Sequence, residues 1–172
     1  MNEIIGQVLG VIVTIIAIIV LQLKKRNQIL WMSILVNIIG GLNVFFLESF
    51  QFTSGIIVNV VAVLQIIVAL IHEKRGTEEK NYEKVIFFIL YVGCGILTYH
   101  SFIDIFAIVA AVFYMLAMSQ KKEQRIRIFL LANMTSWTIY HAYLRNAGIM
   151  AQLAGIISAL VALYRYRKNK SE

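Results

Sequence analysis

The amino-acid sequence predicts an all-α membrane protein with seven transmembrane helices. Three observations lead to this prediction: an apolar composition, basic residues confined to alternate loops, and an internal repeat of three apolar segments. The chain has 172 residues, of which 60% are hydrophobic, and its mean hydropathy is +0.78. Soluble domains are about 45–50% apolar, so the composition argues against a soluble globular fold.

Seven apolar segments follow one another along the chain. They lie at residues 4–23, 29–47, 52–71, 82–99, 102–118, 127–144 and 148–164. Each approaches or reaches the roughly 20 residues that a helix needs to cross about 30 Å of hydrocarbon. The chain contains no proline. No segment is therefore expected to kink at a residue that lacks a backbone N–H. Little sequence remains outside the segments, and no separate soluble catalytic domain is expected.

The loops between the segments differ sharply in charge. All Lys and Arg residues except Arg145 fall in four clusters, at residues 24–26, 74–84, 121–127 and 165–170. The opposite loops hold Glu48, the stretch around His100, and Arg145. Cytoplasmic loops collect Lys and Arg, which predicts an outside N-terminus and a cytoplasmic C-terminus. Anionic lipid headgroups are sufficient partners for the net charge of +7, and nucleic acid is not an expected partner.

The first three segments recur as the last three. A shift of 97 residues aligns the first segment with the fifth, and a shift of 96 aligns the later ones. The aligned pairs include Gln7 with Asp104, Leu21 with Met118, Asn37 with Asn133, and Ala62 with Ser158. A three-span copy joined directly would be inverted, and the fourth segment restores its orientation. The prediction is two parallel repeats, at residues 1–75 and 101–172, joined by a loop and linker helix at 76–100, which is an established transporter plan.

Three short motifs carry a family resemblance. They are Gly-Gln-Val-Leu-Gly-Val at residues 6–11, Gly-Leu-Asn-Val-Phe-Phe-Leu at 41–47, and Ser-Trp-Thr-Ile-Tyr-His at 136–141. In these the chain resembles the YgjV-type bacterial inner-membrane proteins, which implies a location in the bacterial cytoplasmic (inner) membrane. The three-plus-one-plus-three layout is similar to that of SWEET sugar transporters and PnuC nicotinamide riboside transporters. The Pro-Gln signature of SWEET proteins is absent, because the chain has no proline.

Polar side chains deep in the segments are the first candidates for a binding site, because they are costly in hydrocarbon unless they pair or face a wet cavity. On the sixth segment, Asn133, Trp137 and Tyr140 are spaced i, i+4, i+7 and share one helix face. An aromatic surface beside amide groups suits a flat or ring-shaped polar solute. The predicted substrate-binding residues are Asn37, Asn59, Asn133, Trp137, Tyr140, His141 and Gln152. The alternative is that these groups only link helices to one another.

Asp104 is a carboxylate two residues inside the fifth segment. It could couple transport to protons, or it could cap the start of its helix. Capping is the favoured interpretation, since its repeat partner Gln7 carries no charge.

The expected function is a facilitator that moves a small, uncharged, ring-containing polar solute, such as a sugar, nucleoside or vitamin precursor, by alternating access. A non-transporting receptor or accessory subunit on the same fold is the alternative, and an intramembrane hydrolase using His141 and Asp104 is the third candidate. The three histidines lie apart, with His72 on the cytoplasmic side, His100 on the outer side and His141 in the sixth segment, so no metal site is predicted. No cofactor or enzyme motif is found, and homo-oligomerisation remains open.

Overall fold

The computed structural model describes residues 2–47, 54–99, 101–144 and 148–168. Within these ranges every regular element is an α-helix, which confirms the predicted all-α class. The helices are α1 (Asn2–Gln22), α2 (Arg26–Leu47), α3 (Ser54–Arg75), α4 (Asn81–Leu97), α5 (Asp104–Met118), α6 (Glu123–Leu144) and α7 (Gly148–Lys168). Glu48, His100 and Arg145, which the sequence places in the outer loops, lie outside the described residues.

The surface of the bundle is apolar in the way a membrane requires. On α1, large side chains exposed to the surroundings recur every three or four residues, at Ile4, Val8, Val11, Ile15 and Ile19. Such a continuous apolar face marks contact with a membrane or a partner. Among the described helices, α1, α2, α3 and α7 are long and apolar enough to cross a membrane, and α5 is a shorter apolar helix.

The helices form two groups with the same internal pairing. In the first group α1 packs against α2 and α2 against α3, and in the second α5 packs against α6 and α6 against α7. The groups meet where α1 contacts α7 and where α3 contacts α5. Helix α4 packs against α5 and α3. The two main packing contacts between the groups therefore each join the first helix of one group to the last helix of the other.

The tightest apolar packing lies at the end of the bundle that carries the basic clusters, here called the basic end. Fully buried side chains near this end include Leu21, Ile29, Leu30, Met118 and Ile126. They come from the end of α1, the start of α2, the end of α5 and the start of α6. The basic end is therefore closed by a continuous apolar core.

Arg26 crosses from the first helix group to the second at the basic end. It begins α2 and its side chain is buried. Its Nε donates a hydrogen bond to the carbonyl of Gln120 at 2.7 Å, and its Nη2 donates to that of Met118 at 3.4 Å. Its Nη1 also pairs with the carboxylate of Glu73 on α3. The last carbonyls of a helix have no partner within the helix, so Arg26 supplies one for the end of α5.

Arg127 on α6 makes the reciprocal contact. Its Nε donates to the carbonyl of Leu21 at 2.9 Å, and its Nη2 donates to that of Leu23. Its guanidinium lies 4.3 Å from the ring centroid of Tyr166 on α7. The acceptors Leu21 and Leu23 align with Met118 and Gln120 under the 97-residue shift. We call Arg26 and Arg127 the reciprocal arginines, because each completes the first helix of the other group.

Loss of a reciprocal arginine is expected to weaken the fold. The substitution Arg127→Gln removes a buried charge-assisted contact and leaves two carbonyls without a partner, which should lower the free energy of unfolding by about 2 kcal/mol. Arg125→Gln is the matched control, since Arg125 lies two residues away on the same helix and is exposed. Denaturant or thermal unfolding of the detergent-purified proteins measures both. Equal destabilisation by the two substitutions would contradict this role.

Candidate functional site

A cavity of about 270 Å³ lies inside the bundle and is lined by all seven helices. We call it the central cavity. Most of its lining is aliphatic, from residues such as Val13, Val58 and Leu130. The lining residues that can form hydrogen bonds are Ser33, Asn37, Asn59, Tyr91, Tyr114, Asn133, Trp137 and Gln152. None of the described lining residues is Asp, Glu, Lys, Arg or His, so the cavity offers neutral hydrogen-bonding groups and one indole ring.

The structure brings most of the predicted site residues together. Those that line the central cavity are Asn37, Asn59, Asn133, Trp137 and Gln152. Tyr140 and His141 do not line it, but both pack on the indole of Trp137. The His141 ring stacks on it with centroids 5.6 Å apart and an interplanar angle of 24°. The Tyr140 ring meets it edge-on at 5.4 Å. The two side chains therefore fix the orientation of Trp137.

Asn37 and Asn133, which the sequence alignment pairs, use their amide groups differently. The Nδ2 of Asn37 donates to the carbonyl of Ser33 at 2.7 Å and to the hydroxyl of Tyr114 at 2.5 Å. The Nδ2 of Asn133 donates to the carbonyl of Ala110 at 2.8 Å. Both side chains are buried. Within the described ranges, neither amide oxygen accepts a hydrogen bond, so each has an acceptor to offer a solute.

Asn59 lies at the contact between α2 and α3. A Cβ added at Gly40 would lie 3.1 Å from its Oδ1, so a larger residue there would require the amide to shift by a few tenths of an ångström. This close approach holds Asn59 at the wall of the cavity beside Asn37.

Two tyrosines in the cavity were not among the predicted site residues. Tyr91 lies on the linker helix α4 and Tyr114 on α5. A tyrosine hydroxyl inside an apolar segment needs a hydrogen-bonding partner, and that signal was present in the sequence. Tyrosine is also common at membrane interfaces, so the residue type alone does not identify a cavity residue.

Asp104 lies outside the central cavity lining. Its Oδ2 accepts the backbone N–H of Ser101 at 2.7 Å, and the turn of residues 101–103 leads into α5. A carboxylate reaching back three residues to a free N–H is the geometry of a helix-start cap. The coupling role stays a prediction.

A second cavity, of about 230 Å³, lies at the basic end. We call it the basic-end cavity, and its lining residues are Arg26, His72, Thr77, Glu78, Glu79, Lys84, Ser119, Gln120, Lys121, Lys122 and Arg125. Helix α3 ends at Arg75, and the next residue, Gly76, has a φ of 64°, which turns the chain out of the helix and leads to the acidic residues of this lining.

Two Gln–Ser contacts join the helix groups near the basic end. The Nε2 of Gln65 on α3 donates to the carbonyl of Met115 at 2.8 Å and to the hydroxyl of Ser119 at 3.2 Å. The Nε2 of Gln22 on α1 donates to the carbonyl and hydroxyl of Ser158 on α7 at 2.9 and 2.8 Å. One contact therefore lies at each of the two seams between the groups.

The chemistry available in the central cavity is hydrogen bonding and stacking. No nucleophile–base pair lines it. Across the described part of the chain, no cluster of three His, Cys, Asp or Glu side chains could hold a metal ion. The arrangement can bind and orient a neutral ring.

The family comparison agrees with the membrane character of the helices. The family model Imp-YgjV, described as a bacterial inner membrane protein, matches residues 4–170. The resemblance expected from the three motifs and the inner-membrane location are thereby confirmed. Searches of curated proteins and of solved structures found no match.

Two neighbouring carboxyls at the basic end should respond oppositely to pH. Burial raises the pKa of Glu79 above its ordinary value of 4.5, so its ionisation costs stability as pH rises through the raised pKa. A hydrogen bond and ion pair with Lys121 lower the pKa of Glu78. The ionised Glu78 therefore contributes to stability above pH 4.5, and this contribution is lost as pH falls through the lowered pKa.

Glu79→Gln should therefore raise the melting temperature at neutral pH, and the gain should vanish as pH falls towards 4.5. Glu78→Gln should lower the melting temperature at neutral pH, and the loss should shrink in acid. Thermal unfolding measured from about pH 3 to about pH 8 tests both trends. Shifts of the same sign for the two variants would contradict the assigned environments.

Proposed function

The chain belongs to the Imp-YgjV family of bacterial inner membrane proteins, and we propose that it is a facilitator for a small solute. The solute is an uncharged polar molecule containing a ring, such as a sugar, nucleoside or vitamin precursor, and it crosses by alternating access. The observation that carries the proposal is the central cavity, which all seven helices line and which gathers five of the seven predicted binding residues.

The size and lining of the cavity support this class of solute. Pockets for drug-sized ligands measure about 300–1,000 Å³, and the central cavity is slightly smaller, at about 270 Å³. A single ring is the matching size. Trp137 can stack on its flat face, while the amide oxygens of Asn37 and Asn133 accept hydrogen bonds from its edge. The lack of a charged lining residue favours an uncharged solute, because an unpaired buried ion is costly.

The helix pairing supports two parallel three-helix repeats joined by α4. The groups have the same internal helix pairing, and the first helix of each group packs against the last helix of the other. In this proposal α4 and α6 also cross the membrane. Helix α4 has 17 residues, which at 1.5 Å each extend about 25 Å. Helix α6 carries charges in its first turns, and burial of Arg127 on the carbonyls of α1 makes these compatible with a membrane position.

The proposed orientation has the basic end in the cytoplasm and the N-terminus outside. The basic clusters carry this assignment, and anionic lipid headgroups are their partners. With this orientation, the apolar core and the reciprocal arginines lie between the central cavity and the cytoplasm. Since Asp104 is engaged at a helix start and no carboxylate lines the central cavity, downhill transport without ion coupling is the simplest mechanism.

Solute binding can be tested by thermal stability of the detergent-purified protein against sugars, nucleosides and vitamin precursors. At about 100 times its dissociation constant, a bound solute should add about 2.7 kcal/mol of stability. Asn133→Ala and Trp137→Ala should each abolish this shift, measured from the variant's own baseline. Thr135→Ala is the matched control, because Thr135 is exposed on the same helix. A panel without any shift would favour the receptor or accessory-subunit alternative.

Alternating access can be tested by linking the two helix groups. Gln22→Cys and Ser158→Cys, combined in a Cys94→Ser background, place two thiols at one seam near the basic end. A short bifunctional thiol reagent should then stop exchange of labelled solute in proteoliposomes. The single-cysteine variants, treated in the same way, should remain active. Undiminished exchange in the linked protein would refute movement between the groups, and strict dependence on a proton gradient would refute downhill transport.

A further inference from the structure

Tyr91 brings the linker helix α4 into the central cavity. It is 1% exposed and lines the cavity together with Val58 and Ala62 of α3. It belongs to an apolar cluster that also contains Phe87 and Met115. Helix α4 therefore does more than connect the two groups, since it supplies part of the wall of the candidate site.

The hydroxyl of Tyr91 is buried and has no hydrogen-bonding partner among the described residues. Leaving such a group unpaired destabilises a fold, and buried tyrosine hydroxyls usually find a partner. Its side-chain surroundings are mostly aliphatic. The nearby hydroxyl of Tyr114 is already engaged by Asn37 of α2. The protein thus buries a polar group beside an internal cavity without satisfying it.

We propose that the bound solute supplies the missing partner, so that Tyr91 is a specificity-determining residue of the central cavity. This inference rests on the proposed function. The hydroxyl of Tyr91 donates to an acceptor on the solute, and the amide oxygens of Asn37 and Asn133 accept from its donors. The solute is therefore a neutral ring that carries an acceptor, such as a carbonyl or ring nitrogen, together with N–H or O–H groups.

Removal of the hydroxyl alone separates this role from a structural one. Tyr91→Phe keeps the ring and deletes an unpaired group, so without solute its melting temperature should equal or exceed that of the wild type. Tyr114→Phe deletes a bonded hydroxyl and should lower it. Tyr82→Phe is the matched control on the same helix, since Tyr82 is exposed, and it should change nothing. A lower melting temperature for Tyr91→Phe would overturn the proposal by revealing a partner within the protein.

The binding arm uses uracil, uridine and D-glucose as probes. For whichever probe stabilises the wild type, Tyr91→Phe should raise the dissociation constant about tenfold, equivalent to about 1.4 kcal/mol. Tyr82→Phe should leave it unchanged. An unchanged constant in Tyr91→Phe would overturn this inference while the proposed function stands. If no probe stabilises the wild type, the proposed solute class fails and this inference fails with it.

Discussion

Burying a guanidinium inside a helical bundle is costly, and this fold buries two, those of Arg26 and Arg127. The fold depends on the hydrogen bonds that offset this cost. Removal of an ion from water costs several kcal/mol unless its bonds are replaced. The carbonyls at the end of a helix lack partners and carry the negative end of the helix dipole. Arg26 and Arg127 satisfy both requirements at once. Because each arginine belongs to one group and its carbonyls to the other, neither group completes its own polar bonding.

The hydrogen bonds that the two arginines make across the groups hold the helices together at the basic end, and the central cavity lies beyond them. The apolar core and the reciprocal arginines pack between the helices near the basic end, and the central cavity beyond them is lined by neutral groups. Asn37 and Asn133 then make the two helix groups differ. Asn37 reaches Tyr114 in the other group, whereas Asn133 bonds Ala110 within its own. A cavity built from similar halves thereby has two chemically different sides, which can hold a solute in one preferred orientation.

The helices could be predicted closely because hydropathy and charge are local properties of the sequence. The gathering of Asn37, Asn59, Asn133, Trp137 and Gln152 could be predicted as well, because depth follows from position along a helix. Tyr140 and His141 share the face of Trp137 but lie about one turn farther from the basic end, beyond the cavity lining. Helix periodicity predicts which side of a helix a residue faces, but it does not predict how far a cavity extends along that side. The reciprocal arginines depend on contacts between segments about 100 residues apart, which a basic loop does not reveal.

The reciprocity also constrains how the protein is made. During synthesis the first three helices enter the membrane before α5 exists, so Arg26 has Glu73 beside it but not the carbonyls of Met118 and Gln120. The carbonyls at the end of α1 likewise have no arginine partner until Arg127 on α6 is made. The contact of α1 with α7 forms last, because α7 is the last helix of the chain. The polar bonding of the basic end is therefore complete only when both helix groups are present.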